Sequence, residues 1–125
     1  MAKILLPLLA LLFTSVAIAN PSHSSTGWKV VPNKEVCMVT DMHFAKPQIP
    51  VEQGGKIYYG CCQNCKTTLQ KEASSRTAED PVSKKTVDKA TATIAASDSG
   101  AVLYFENQTN FEKHVTNMAK ESPKK

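Results

Sequence analysis

All four cysteines of this chain fall between positions 37 and 65, and three of them are packed into Cys61-Cys62-Gln63-Asn64-Cys65. An unpaired surface thiol is a reactive liability, so sulfurs gathered this tightly imply either a metal cage or a pair of disulfide staples. Four thiols allow three pairings. One of these joins the adjacent Cys61 and Cys62, a strained vicinal bond, and the other two both tie Cys37 to the cluster. Under either chemistry the segment between Cys37 and Cys61 must return on itself.

Two features of the flanking sequence bear on that choice. Residues 1–19 read as a cleaved signal peptide: Lys3 supplies the positive start, Ile4 to Ala19 form an apolar run, and Ala17-Ile18-Ala19 is a small-x-small cleavage site before Asn20. The run carries Pro7 and Thr14 and has no basic stop-transfer flank, so no membrane association is expected after cleavage. Export, to the periplasm or beyond the cell, places the thiols where disulfides form readily. About 106 of the 125 residues then remain, enough for one small domain whose core needs help from metal or disulfide. The charge balance of 15 Lys and Arg against 11 Asp and Glu is only mildly basic, with lysines concentrated in the tail 119–125. With one Trp, four Phe and three Tyr there is no stacking platform either, and nucleic-acid binding is not expected.

Along the mature chain, 20–34 is a polar leader with a short strand expected at Trp28 to Val31. Gln48 to Glu52 and Lys56 to Tyr59 flank the turn Gln53-Gly54-Gly55 and make a hairpin, whose first strand must be an edge because Pro47 and Pro50 lack an N–H. A helix is expected from Asn64 to about Ala78, stopped by Asp80-Pro81. The plan recurs: Thr91 to Ala95 and Ala101 to Phe105 flank Ser97-Asp98-Ser99-Gly100, and a helix runs from Gln108 to about Lys120 with Phe111, Val115 and Met118 on one face. Val36-Cys37 aligns with Val82-Ser83, Gly55 to Tyr59 with Gly100 to Tyr104, and Cys65-x-x-x-Leu69 with Asn107-x-x-x-Phe111. The fold class is therefore α+β, two tandem ββα units of treble-clef or knuckle type, at 35–79 with thiols and 80–118 without.

The cysteines sit where a strand ends and a helix starts. Backbone N–H groups and the positive helix end stabilise thiolates there, which lowers the cost of the deprotonation that metal binding requires. Three or four such sulfurs at about 2.3 Å form the preferred shell of Zn(II), and the same donors suit Cu(I) better still. The candidate ligands are Cys37, Cys61, Cys62 and Cys65, with Met38 and His43 as additional donors that would favour copper. Asp41 reads as a turn residue, His114 as a surface residue of the last helix, and Tyr58, Tyr59, Tyr104 and Phe105 as hairpin core.

The pattern Cys37, Gly55-Lys56-x-Tyr58-Tyr59-x-Cys61-x-x-x-Cys65 resembles the TRASH domain, a cysteine module associated with trafficking, resistance and sensing of heavy metals. The second half, Asp80-Pro81-Val82-Ser83 with Tyr104-Phe105 and Asn107-x-x-x-Phe111, resembles the related YHS domain with its cysteines replaced. The spacer between Cys37 and Cys61 is slightly longer than in TRASH domains, Cys62 is an extra thiol, and Ser83 stands where a cysteine is usual. The resemblance implies a metal role for Cys37, Cys61 and Cys65, leaves Cys62 open, and gives the second half no ligand.

The expected function is an exported soft-metal-binding protein that buffers, carries or senses copper, zinc or another heavy metal, working with a metal-transport or resistance protein. The alternative is a disulfide-stapled interaction module without metal. Redox exchange through Cys62-x-x-Cys65 ranks below both, because the thioredoxin-like βαβ context is missing. No Ser/His/Asp order, paired carboxylates or phosphate-binding glycine loop points to an enzyme.

Overall fold

The computed structural model describes residues 26–121; the expected signal peptide at 1–19, the start of the leader and the end of the tail lie outside the described residues. In chain order the elements are β1 (Trp28–Val30), a 3₁₀ turn at Asn33–Glu35, β2 (Val36–Cys37), β3 (Met42–His43), β4 (Ile49–Gln53) and β5 (Lys56–Gly60). Then follow α1 (Gln63–Lys71), a 3₁₀ turn at Ala73–Arg76, β6 (Thr77–Glu79), β7 (Thr86–Asp88), β8 (Thr93–Ser97), β9 (Val102–Phe105) and α2 (Gln108–Glu121). The fold is mixed α+β, with two helices and four small antiparallel sheets among the described residues.

Two hairpins are each followed by a helix. In the first, β4 pairs with β5 in the register Val51↔Tyr58 and Gln53↔Lys56, closed by Gly54 and Gly55 at φ +59° and +75°. Positive φ at both central residues is a type I′ turn, whose twist matches that of the strands and which glycine enters without a Cβ clash. The sheet has only these two strands, so Pro50 sits on a strand with a free edge. The second hairpin, β8–β9, gains a third strand from far away: β1 pairs with β8, Trp28 opposite Ser97 and Val30 opposite Ala95. The short strand expected at Trp28 to Val31 is present as β1, and it joins the sheet of the second half.

Helix α1 is shorter than the sequence suggests, ending at Lys71 rather than near Ala78. Two residues beyond its end take over its last carbonyls. The Ser75 hydroxyl donates to Glu72 O at 2.7 Å and to Thr68 O at 3.3 Å, and the Arg76 guanidinium donates to Leu69 O at 2.6 Å. Those side chains satisfy groups that a continuing helix would have used, and Glu72 turns to an extended backbone.

Asp80 therefore does not act as the helix stop. It is fully buried and collects four hydrogen bonds: Val82 N–H at 2.7 Å and Ser83 N–H at 3.1 Å on one oxygen, Glu106 N–H at 2.7 Å and the Asn110 amide at 2.9 Å on the other. Burial alone would raise its pKa, but these donors outweigh it and hold the carboxyl below the usual range. The main core draws on both halves: Val36, Met38, Val51, Tyr58 and Leu69 pack with Val87, Ile94, Ala96, Val102 and Tyr104. A smaller cluster of Ala95, Phe105 and Phe111 lies under α2. His114, expected at the surface, is half-buried there, its ring 5.4 Å from Phe105 and 6.2 Å from Trp28.

Candidate metal centre

Three chain segments converge on the cysteines. Cys37 ends β2, and the turn that follows is held by Met38 N–H donating to Tyr59 O at 2.8 Å, which ties it to the last residues of β5. Strand β5 ends at Gly60, Cys61 lies in the bend, and Cys62 is the N-cap of α1 with an extended backbone at φ −154° and ψ 174°. Cys65, the third residue of α1, turns inward. Gly60 makes the close approach feasible: a Cβ there would lie 2.9 Å from the Cβ of Cys65 and 3.3 Å from its carbonyl carbon. Any larger residue would push the helix start off the strand end.

The sulfurs of Cys37, Cys61 and Cys65 all lie within 4.8 Å of one another, with Cys37–Cys65 and Cys61–Cys65 both at 3.7 Å. Three thiolates around one ion at about 2.3 Å require sulfur spacings of roughly 3.8 to 4.0 Å, whether tetrahedral or trigonal. Two of the three spacings already lie near that range, and the third pair is within 4.8 Å. Cys62 stands beside this set, its Sγ 3.4 Å from that of Cys65. All four cysteines are free thiols, Cys37 and Cys65 buried, Cys61 and Cys62 exposed. A metal guest would accordingly have a protein-facing floor and a solvent-facing rim.

The electrostatics are asymmetric. Burial raises the Cys37 pKa, but the hydroxyl and amide of Thr40 and the amides of Val39 and Cys61 overcome it and bring the thiol down to about 7. Cys65 moves the other way, to about 12, through burial, its contacts with the other three sulfurs and the charge on Cys37. Cys61 is raised chiefly by its bond to Cys37, and Cys62 is lowered by the amide and thiol of Cys65 at the helix start. Cys37 and Cys62 are thus the more easily deprotonated members and Cys61 and Cys65 the less easily, and an incoming cation would displace the protons that remain.

The additional donors proposed from the sequence lie elsewhere. Met38 is fully buried in the main core. His43 faces Glu35, Nε2 to Oε2 at 3.1 Å. Sequence reasoning missed the residue that braces the site from the second half. Lys89 is buried, donates to Met38 O at 2.7 Å and to the Asp41 carboxylate at 2.8 Å, and lies 4.8 Å from the centre of the Tyr104 ring. Tyr104 donates to the same Asp41 oxygen at 2.7 Å. Asp41, at φ 51°, is the turn residue it was expected to be, and it locks the loop after Cys37 to strand β9 and to the loop after β7.

No family model, curated protein or solved structure matches this chain. Among the described residues no helix is long and apolar enough to cross a membrane.

Proposed function

We propose that this is an exported soft-metal-binding protein, not an enzyme, which buffers Cu(I) or passes it to a transport or resistance protein, with Cys37, Cys61 and Cys65 as ligands. The observation that carries the reading is the mutual approach of three unpaired sulfurs from three segments, at spacings a single ion would impose. Three sulfurs with an exposed rim favour Cu(I) over Zn(II), whose structural sites are almost always closed by four ligands.

The second half supports the reading by contrast. We take β4–β5–α1 and β8–β9–α2, each with its preceding turn, as two copies of one ββα knuckle. Their hydrogen bonds correspond in detail. Cys37 is held by the amides two and three residues on and by the amide of Cys61 just past β5. Asp80 is held by the amides two and three residues on and by the amide of Glu106 just past β9. The third helical residue completes each set, Cys65 in α1 and Asn110 in α2. In this correspondence the counterparts of Cys37 and Cys65 are Asp80 and Asn110, not the Ser83 and Asn107 that sequence alignment suggests. The second copy is closed by hydrogen bonds and needs no ion. A knuckle that can be satisfied without sulfur argues that the first copy keeps its thiols for a ligand, in line with the TRASH-like pattern of that half.

The test is a count of free thiols and an elemental analysis on one sample purified from the oxidising compartment. Bound copper at one per chain with the cluster thiols protected is the expected result. Neither free thiols nor metal would establish the disulfide-stapled module instead.

A further inference from the structure

Resting on the metal-binding reading, we infer that Cys62 is the transfer ligand of the site: an exposed fourth sulfur through which Cu(I) is handed to a thiolate-bearing acceptor chain. A resident ligand and a transfer ligand place opposite demands on a cysteine. The first must be held at the centre of the donor set and the second must touch both the set and the solvent.

Cys37 and Cys65 meet only the first demand, being 0% and 6% exposed, so no acceptor sulfur reaches them directly. Cys62 meets the second. It is exposed, lies outside the mutually close trio, and shares an edge with it through the 3.4 Å contact to Cys65. The Cys65 sulfur is the shared point, 3.7 Å from that of Cys61 within the trio and 3.4 Å from that of Cys62 at the rim. The N-cap position fixes Cys62 at this rim, because its extended backbone turns the chain into α1 there.

Transfer then proceeds by ligand exchange without change of oxidation state. Cys62 loses its proton to water and bonds the ion, while the Cys37 sulfur leaves with the electron pair of its bond and stays held by the amides of Val39, Thr40 and Cys61. The ion is then held between Cys65 and the exposed sulfurs of Cys61 and Cys62. An acceptor thiolate adds from solvent and displaces these sulfurs in turn, each recovering a proton. At every stage the ion keeps sulfur donors, which avoids the cost of a bare intermediate.

Serine is a favourable N-cap, so Cys62→Ser removes the sulfur and spares the helix start. The full-length chain, loaded with Cu(I) under reducing conditions, is mixed with a chromophoric Cu(I) chelator as acceptor. Both the equilibrium competition and the rate of transfer are recorded. Cys62→Ser is expected to keep its affinity within about threefold of wild type and to transfer at least about tenfold more slowly, while Cys61→Ser loses about a hundredfold or more in affinity. An unchanged transfer rate would make Cys62 a bystander, and an affinity loss as large as that of Cys61→Ser would make it a fourth resident ligand; either result overturns the inference alone. A wild-type chain that takes up no Cu(I) defeats the metal-binding reading itself, and the inference with it.

Discussion

At the scale of single residues the central fact is that Cys37 is buried and yet inclined to ionise. A sulfur removed from water should hold its proton, but three backbone amides and the Thr40 hydroxyl reverse that preference. The folded value, about 7, lies below that of an unfolded thiol. The unfolded chain therefore binds this proton more tightly than the folded one. The stabilisation is complete above the unfolded thiol value and is lost as pH falls through about 7. Far-ultraviolet thiolate absorbance of the reduced, metal-free protein should show a step with a midpoint near 7 that disappears in Cys37→Ser. Persistence of that step in the variant would assign the ionisation to another cysteine. Lys89 belongs to the same scale. Replacing it by methionine leaves the Met38 carbonyl and the Asp41 carboxylate without their charged donor, and should lower unfolding free energy by about 2 kcal/mol in chemical denaturation. None of this was legible in the sequence, because whether a lysine is buried depends on partners some fifty residues away, which no local pattern records.

At the scale of elements, the two hairpins and the final helix were readable, since strand alternation, a Gly-Gly turn and a helical stripe are local signals. The early end of α1 was not. Its composition favours helix to Ala78, but the side chains of Ser75 and Arg76 satisfy the last carbonyls and release the chain for β6. Asp80 was misread for a related reason: Asp-Pro looks like a stop signal, while the four donors that converge on the carboxylate come partly from α2 and from Glu106 just past β9. Asp80→Ala strands buried amides and should destabilise the protein by roughly 3 kcal/mol or more, measured by urea unfolding. A change under about 0.5 kcal/mol would show that the carboxylate does not hold the β9–α2 junction together. Gly60→Ala acts where β5 meets α1, since a methyl group there would lie 2.9 Å from the Cβ of Cys65. It should cost about 1–3 kcal/mol and weaken metal affinity along with stability.

For the whole molecule, the cysteine cluster was visible from spacing alone, but the interlocking of the halves was not. Strand β1 crosses to β8, Lys89 reaches back to the loop after Cys37, and one core is built from both segments. A chain ending at Asp80 would lose the partners of Val36, Met38 and Tyr58 and should show no cooperative thermal unfolding. A truncated chain that unfolds cooperatively with full metal affinity would show the second half to be dispensable. The proposed metal site depends on three sulfurs acting together on one ion. Its most direct test is Cu(I) titration of the reduced full-length protein against a competing chelator, beside the Cys37→Ser, Cys61→Ser and Cys65→Ser variants. One ion per wild-type chain and an affinity loss of about a hundredfold or more in each variant are predicted; wild-type affinity retained by any of the three would contradict the account.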